Sequence, residues 1–104
     1  MGDWIRISAL EDLPEGRGVR VEIGEIAIAL FRIGGSVYAL GDRCSHAEAS
    51  LSEGEVFDGM VECPRHGSEF DLATGRPHSL PATTAVPSYA TKVEDGDVLL
   101  EVTT

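Results

Sequence analysis

Sulfur and imidazole are scarce in this chain of 104 residues, which has two cysteines and three histidines. So few cysteines exclude a small scaffold stapled by several disulfides. Positive charge is scarce too: 8 lysines and arginines stand against 18 acidic residues, a formal net charge of −10. Nucleic acid and anionic membrane surfaces repel such a chain, so neither is expected as a partner. The acidity itself leaves two readings open, a solubility device or a face that docks on a basic partner. Long apolar runs are missing as well. The longest, Ile26 to Phe31, falls far short of the roughly 18 residues that a membrane helix needs. The opening MGDWIRISAL has neither a basic leader nor an apolar segment, so no secretory signal is expected. Arg6 stands where a myristoylation motif needs Ser or Thr. The expectation is a cytoplasmic protein of one domain, spanning 1–104.

What is present reads as β structure. Val19 to Ile23 alternates with period two, and Glu25 to Ile33 reads as a second strand. Gly34-Gly35 suits a two-residue turn into a third, Ser36 to Leu40. Asp58-Gly59 and Asp95-Gly96 mark two further hairpins. Ala9 to Gly16 has the composition for one helical turn, and no segment carries a helical period. The fold class is therefore all-β, with short antiparallel strands closing into a small barrel or sandwich.

Against this background, both cysteines and two of the histidines gather between residues 44 and 66. They form the pairs Cys44-x-His46 and Cys63-x-x-His66, and each pair falls in a loop at the end of a predicted strand. Three chemistries use Cys and His together. A nucleophilic Cys–His couple leaves one pair unexplained. Structural zinc uses two of each, but with wider spacing inside each pair. The single residue between Cys44 and His46 is tight for two ligands on one tetrahedral ion. It suits two ligands reaching different metals, as in a [2Fe–2S] cluster with two thiolates on one iron and two imidazoles on the other.

These residues also resemble the two cluster-binding boxes of Rieske proteins, and the likeness continues through DLPEG and, after the second box, FDLATG. The chain is most similar to the small Rieske-type ferredoxins of bacterial ring-hydroxylating dioxygenases. The resemblance implies one [2Fe–2S] cluster in a subdomain of two hairpin loops over about 41–71. Cys44 and Cys63 would then bind the inner iron, and His46 and His66 the outer one. Pro64, Arg65, Gly67 and Ser68 would surround it. It further implies a one-electron carrier, not an enzyme by itself. Its donor would be an NAD(P)H-dependent reductase and its acceptor a terminal oxygenase. Within the same family, the small subunit of an assimilatory nitrite reductase and an accessory ferredoxin of cluster assembly are the alternatives. A zinc-stabilised binding module is the reading from a different class.

The chain departs from the high-potential members of the family. Ala49 and Arg65 stand where those carry the cysteines of a bracing disulfide, and Phe70 stands where they carry a Tyr; Ser68 is kept. The expected potential is accordingly low for a Rieske centre. His78 reads as an exposed loop residue, and Trp4, Phe31 and Tyr38 as core or edge packing. Glu48, Glu53 and Glu55 either form a solvated loop or ring the cluster tip as a docking face, with Arg65 pairing with one of them or projecting toward a partner. Gly16-x-Gly18 is no dinucleotide fingerprint, because Val21 stands at the third glycine position.

Overall fold

A computed structural model describes residues 2–43, 49–65, 67–78 and 84–103. Ten strands follow in chain order: β1 (Gly2–Ala9), β2 (Gly18–Ile23), β3 (Ile26–Ile33), β4 (Ser36–Gly41) and β5 (Glu55–Phe57). After them come β6 (Met60–Glu62), β7 (Glu69–Asp71), β8 (Ser88–Tyr89), β9 (Thr91–Glu94) and β10 (Asp97–Thr103). Two 3-10 turns, Leu10–Asp12 and Leu51–Glu53, are the only helical elements among the described residues. The strands form three antiparallel sheets, ordered β1-β10-β9, β2-β3-β4-β8 and β5-β6-β7.

The middle sheet separates two cores. Successive side chains of a strand point to opposite faces, and in β3 Ile28, Ala29, Leu30 and Phe31 are all buried. Ile28 and Leu30 pack with Val98 and Leu100 of β10, while Ala29 and Phe31 pack with Val61 and Phe70 of the small sheet and with Cys63 just after β6. Burial on both faces explains why Ile26 to Phe31 is a continuous apolar run instead of an alternating one. β4 divides in the same way, with Val37 and Ala39 on one side and Leu40 on the other.

The hairpins follow the local turn chemistry. Asp58 and Gly59 have φ of 49° and 75°, Asp95 and Gly96 of 51° and 79°. Both pairs are left-handed at two successive residues, the twist that two-residue hairpins favour. At Gly34-Gly35 only the first glycine is left-handed, φ 64°. A fourth turn of this kind joins Ile23 to Ile26 through Gly24, so the second strand begins one residue later than its sequence suggests.

β1 has no such local signal. It pairs with β10 at the other end of the chain, with a bulge between Arg6 and Ser8, and Arg6 Nε donates to Asp97 Oδ1 at 2.8 Å. That hydrogen bond, with the Asp97 charge beside it, raises the Arg6 pKa. Phe31 is core and Tyr38 is packed against it, whereas Trp4 is 39% exposed, with Lys92 Nζ 4.5 Å above its ring.

Gly18 marks a close approach. A Cβ there would lie 2.5 Å from the Ser52 carbonyl oxygen and 2.8 Å from Phe31 Cε1. Gly18→Ala is therefore expected to destabilise the fold by about 1–3 kcal/mol through overpacking. Gly35→Ala, which meets nothing within 4 Å, should be nearly neutral. Thermal melts of the two variants check the difference, and equal midpoints would mean that the Ser52 segment yields freely.

Candidate metal centre

Of the four motif residues the structure describes Cys63. Cys44, His46 and His66 lie outside the described residues, as does Glu48. Cys63 directly follows β6 and is 1% exposed, in the core cluster with Val61, Phe70 and Leu51. Its main chain is held from both directions. Its N–H donates to the Ser68 carbonyl at 2.7 Å, and its own carbonyl accepts from the Gly67 N–H at 3.0 Å. Gly67 closes this turn with φ 76°, in the left-handed region that glycine enters at no steric cost. Pro64 and Arg65 form the exposed rim of the turn, and Ser68 is fully buried below it.

Arg43 and Ser50, which flank the first pair in the sequence, form an antiparallel bridge, a paired stem. Asp42, 2% exposed, secures that stem with both its main chain and its carboxylate. Its N–H donates to the Ala27 carbonyl at 3.0 Å, and its carbonyl accepts from Leu51 N–H at 2.6 Å. Carboxylate Oδ1 accepts from Ser52 N–H at 2.8 Å, and Oδ2 lies 3.7 Å from Arg20 Nε. A buried carboxylate needs such partners, since an unpaired one costs several kcal/mol.

The two loops share one base. Gly54 lets the stem of the first loop lie directly on the strand before Cys63: a Cβ there would sit 2.0 Å from the Glu62 carbonyl oxygen. Half-buried Ala49 packs on the cluster that contains Cys63. Ala49 and Arg65, the positions where the resemblance replaces a bracing disulfide, line one open cleft of about 660 Å³.

This arrangement fits the expected iron–sulfur group. It offers a soft sulfur donor at the buried base of the loop pair, the ligand type that selects such clusters. His78 fits the reading of a surface histidine. It is exposed, and its Nε2 lies 3.4 Å from Asp71 Oδ2. Burial raises the Asp71 pKa, but N–H donors from Ala73 and Thr74, with His78 and the Thr74 hydroxyl, outweigh it and hold that carboxyl below its usual range. Phe70 is fully buried opposite Val61, so a Tyr hydroxyl there would have to find a partner inside the core.

Asp42, Gly54 and Arg20 carry the architecture of the site and were not legible as site residues. Their only signal is position: an acidic residue ends the apolar run SVYALG two residues before Cys44.

The sequence profile of the Rieske [2Fe-2S] domain matches residues 3–90. The 3-phenylpropionate/cinnamic acid dioxygenase ferredoxin subunit of Escherichia coli is 46% identical over 92 residues, 88% of this chain and 86% of that protein. A chain of the complex of reduced oxygenase and oxidized ferredoxin in carbazole 1,9a-dioxygenase superposes with TM-score 0.86 at 36% identity, covering 94% of this chain and 92% of that one. An NADH-dependent nitrite reductase small subunit structure from Mycobacterium tuberculosis superposes with TM-score 0.88 at 30% identity, covering 100% and 98%.

Removing the Asp42 carboxylate would leave the Ser52 N–H and Arg20 without their partner at the loop stem. Asp42→Ala is expected to cost about 1–3 kcal/mol, read from the urea midpoint. Asp42→Asn should lose less, since an amide oxygen still accepts from Ser52 N–H. Equal losses in the two variants would shift the effect to the Arg20 pair.

Proposed function

From the premise that this chain belongs to the Rieske [2Fe-2S] domain family, we propose that it is the ferredoxin component of a ring-hydroxylating oxygenase system. The likeness to a dioxygenase ferredoxin subunit along 88% of the chain carries the reading. Its role is electron transfer, and the oxidation of any organic substrate belongs to another component. The family is built around one Rieske-type [2Fe-2S] cluster, which displaces the zinc-module reading. The nitrite reductase alternative rests on a relative at 30% identity against 46%, and is the weaker of the two.

We assign Cys44 and Cys63 as thiolate ligands of one iron, and His46 and His66 as imidazole ligands of the other, in one domain over 1–104 with its cluster region at about 41–71. Bound there, the cluster supplies a one-electron couple, with a potential raised by two neutral imidazoles in place of two thiolates. The chain's part is to hold its ligands still. Main-chain bonds from Ser68 and Gly67 fix Cys63, and Asp42 fixes the stem of the opposite loop. The electron arrives from an NAD(P)H-dependent reductase and leaves to a terminal oxygenase, as the carbazole complex pairs ferredoxin with oxygenase. No described helix is long and apolar enough to cross a membrane; the cytoplasm is the location we propose for the carrier.

The purified protein is expected to be red-brown, with iron and acid-labile sulfide in the ratio of a [2Fe–2S] cluster. Cys44→Ala, His46→Ala, Cys63→Ala and His66→Ala should each abolish the colour, and His78→Ala should keep it. A colourless protein with stoichiometric zinc would sink the carrier reading.

The fully buried Ser68 hydroxyl is assigned as a donor that steadies the reduced, more negative centre. A hydrogen bond to a charged group is worth about 1.5–3 kcal/mol, and only the part gained on reduction moves the potential. If that part is about 1–2 kcal/mol, the shift is on the order of 40–90 mV for one electron. Ser68→Ala should lower the midpoint by that order and keep the cluster, from a wild-type value in the lower half of the range of about −150 to +300 mV. Voltammetry decides it, and an unchanged midpoint would remove Ser68 from this role.

A further inference from the structure

Arginines gather in two adjoining clefts of a chain whose formal net charge is −10. Arg20, Arg43 and Arg65 line the open cleft between the loop stems, and an adjoining cleft adds Arg17 and shares Arg20. All four arginines are exposed. Asp42 and Glu53 are the acidic residues on the described walls of these clefts. Asp42 is 2% exposed and holds Ser52 N–H, so little of its charge faces outward. Glu22 reaches Arg20 from the side, at 3.9 Å.

Among the described residues that line these clefts, four are arginines and two are acidic. Glu55, which the sequence offered for an acidic docking face, lies on β5 and lines neither cleft.

Resting on the electron-carrier reading, we propose that this arginine-lined face is the docking surface for an acidic patch on the protein redox partner. Its guanidinium groups would meet carboxylates there, a geometry that arginine forks suit. Net charge sets long-range repulsion, but at about 0.1 M salt the Debye length is only about 10 Å. The longest dimension of the molecule is 39 Å. Charges on the far body are then screened, and those within the contact region decide the encounter.

The test uses the cluster-bearing protein, reduced by dithionite and mixed with ferricyanide, an anionic oxidant that takes one electron to become ferrocyanide. Net charge alone makes this rate rise as salt increases from about 0.1 to about 1 M. A basic face at the electron exit makes it fall, by about threefold or more. Cationic hexaammineruthenium(III) should show the opposite slope. The double variant Arg17→Glu/Arg65→Glu should reverse both slopes. Lys92→Glu, with its charge on β9 of the other outer sheet, should leave them unchanged. Hexaglutamate, standing in for the acidic patch, should slow ferricyanide oxidation of the wild type and not of the double variant.

The visible spectrum of each protein shows that the cluster is intact. If the double variant fails to assemble, Arg17→Gln and Arg65→Gln singly should each flatten the slope. A wild-type rate with ferricyanide that rises with salt overturns the proposal, as do equal responses of Arg65→Gln and Lys92→Glu or indifference to hexaglutamate. A protein without a cluster spectrum would refute the carrier reading first, and the two failures are thereby distinguished.

Discussion

The burial of β3 on both faces is the constraint from which the rest of the molecule follows. A strand that presents Ile28 and Leu30 to one side and Ala29 and Phe31 to the other must be covered by sheets on both sides. One cover is β1-β10-β9, closed by the two ends of the described chain. The other is the small sheet β5-β6-β7, whose strands have three residues each. Three short strands have too little area to be stable alone. They are held because Val61, Phe70 and Cys63 complete the core beneath Phe31 and Leu40. The turn that follows Cys63 is thus attached to a fully buried part of the protein.

Rigidity at the site comes from a few close approaches rather than from large contact areas. Gly54 seats the first loop stem against Glu62, and Gly18 admits Ser52 beside Phe31. Asp42 then joins β4 to the 3-10 turn at Leu51–Glu53 through bonds to Leu51 and Ser52. Each of these residues is tolerable only because a specific neighbour stands where it does. A carboxylate at 2% exposure would be costly without its N–H donor and the nearby guanidinium. Two loops far apart in sequence are in this way set on one base. A centre that exchanges electrons benefits from such stillness, since ligands that move little on reduction cost little reorganisation.

Much of this was written in local sequence. The hairpins at Gly34-Gly35, Asp58-Gly59 and Asp95-Gly96 were legible because left-handed φ values select Gly and Asp at those positions. The family was legible because two iron atoms and two ligand types demand an uncommon spacing of Cys and His. The strand at Gly2–Ala9 was not, because its partner β10 lies at the other end of the chain and no turn joins them. The short strands β7 and β8 were missed for a related reason. Two or three residues are too few to show a period, and their pairing is dictated by neighbours.

The spacing of Cys44, His46, Cys63 and His66 by itself pointed to the family, because residue type and separation are properties of the covalent chain. The net charge of −10 was equally fixed by composition. How that charge is distributed was decided only by the fold. Arg17 and Arg20 precede Cys44 by more than twenty residues, Arg43 adjoins it, and Arg65 lies between Cys63 and His66. Pairing of β2 with β3 and seating of the Leu51–Glu53 turn against β2 bring them to one face. Electrostatic potential depends on distance through space, and distance through space is what a one-dimensional pattern does not contain.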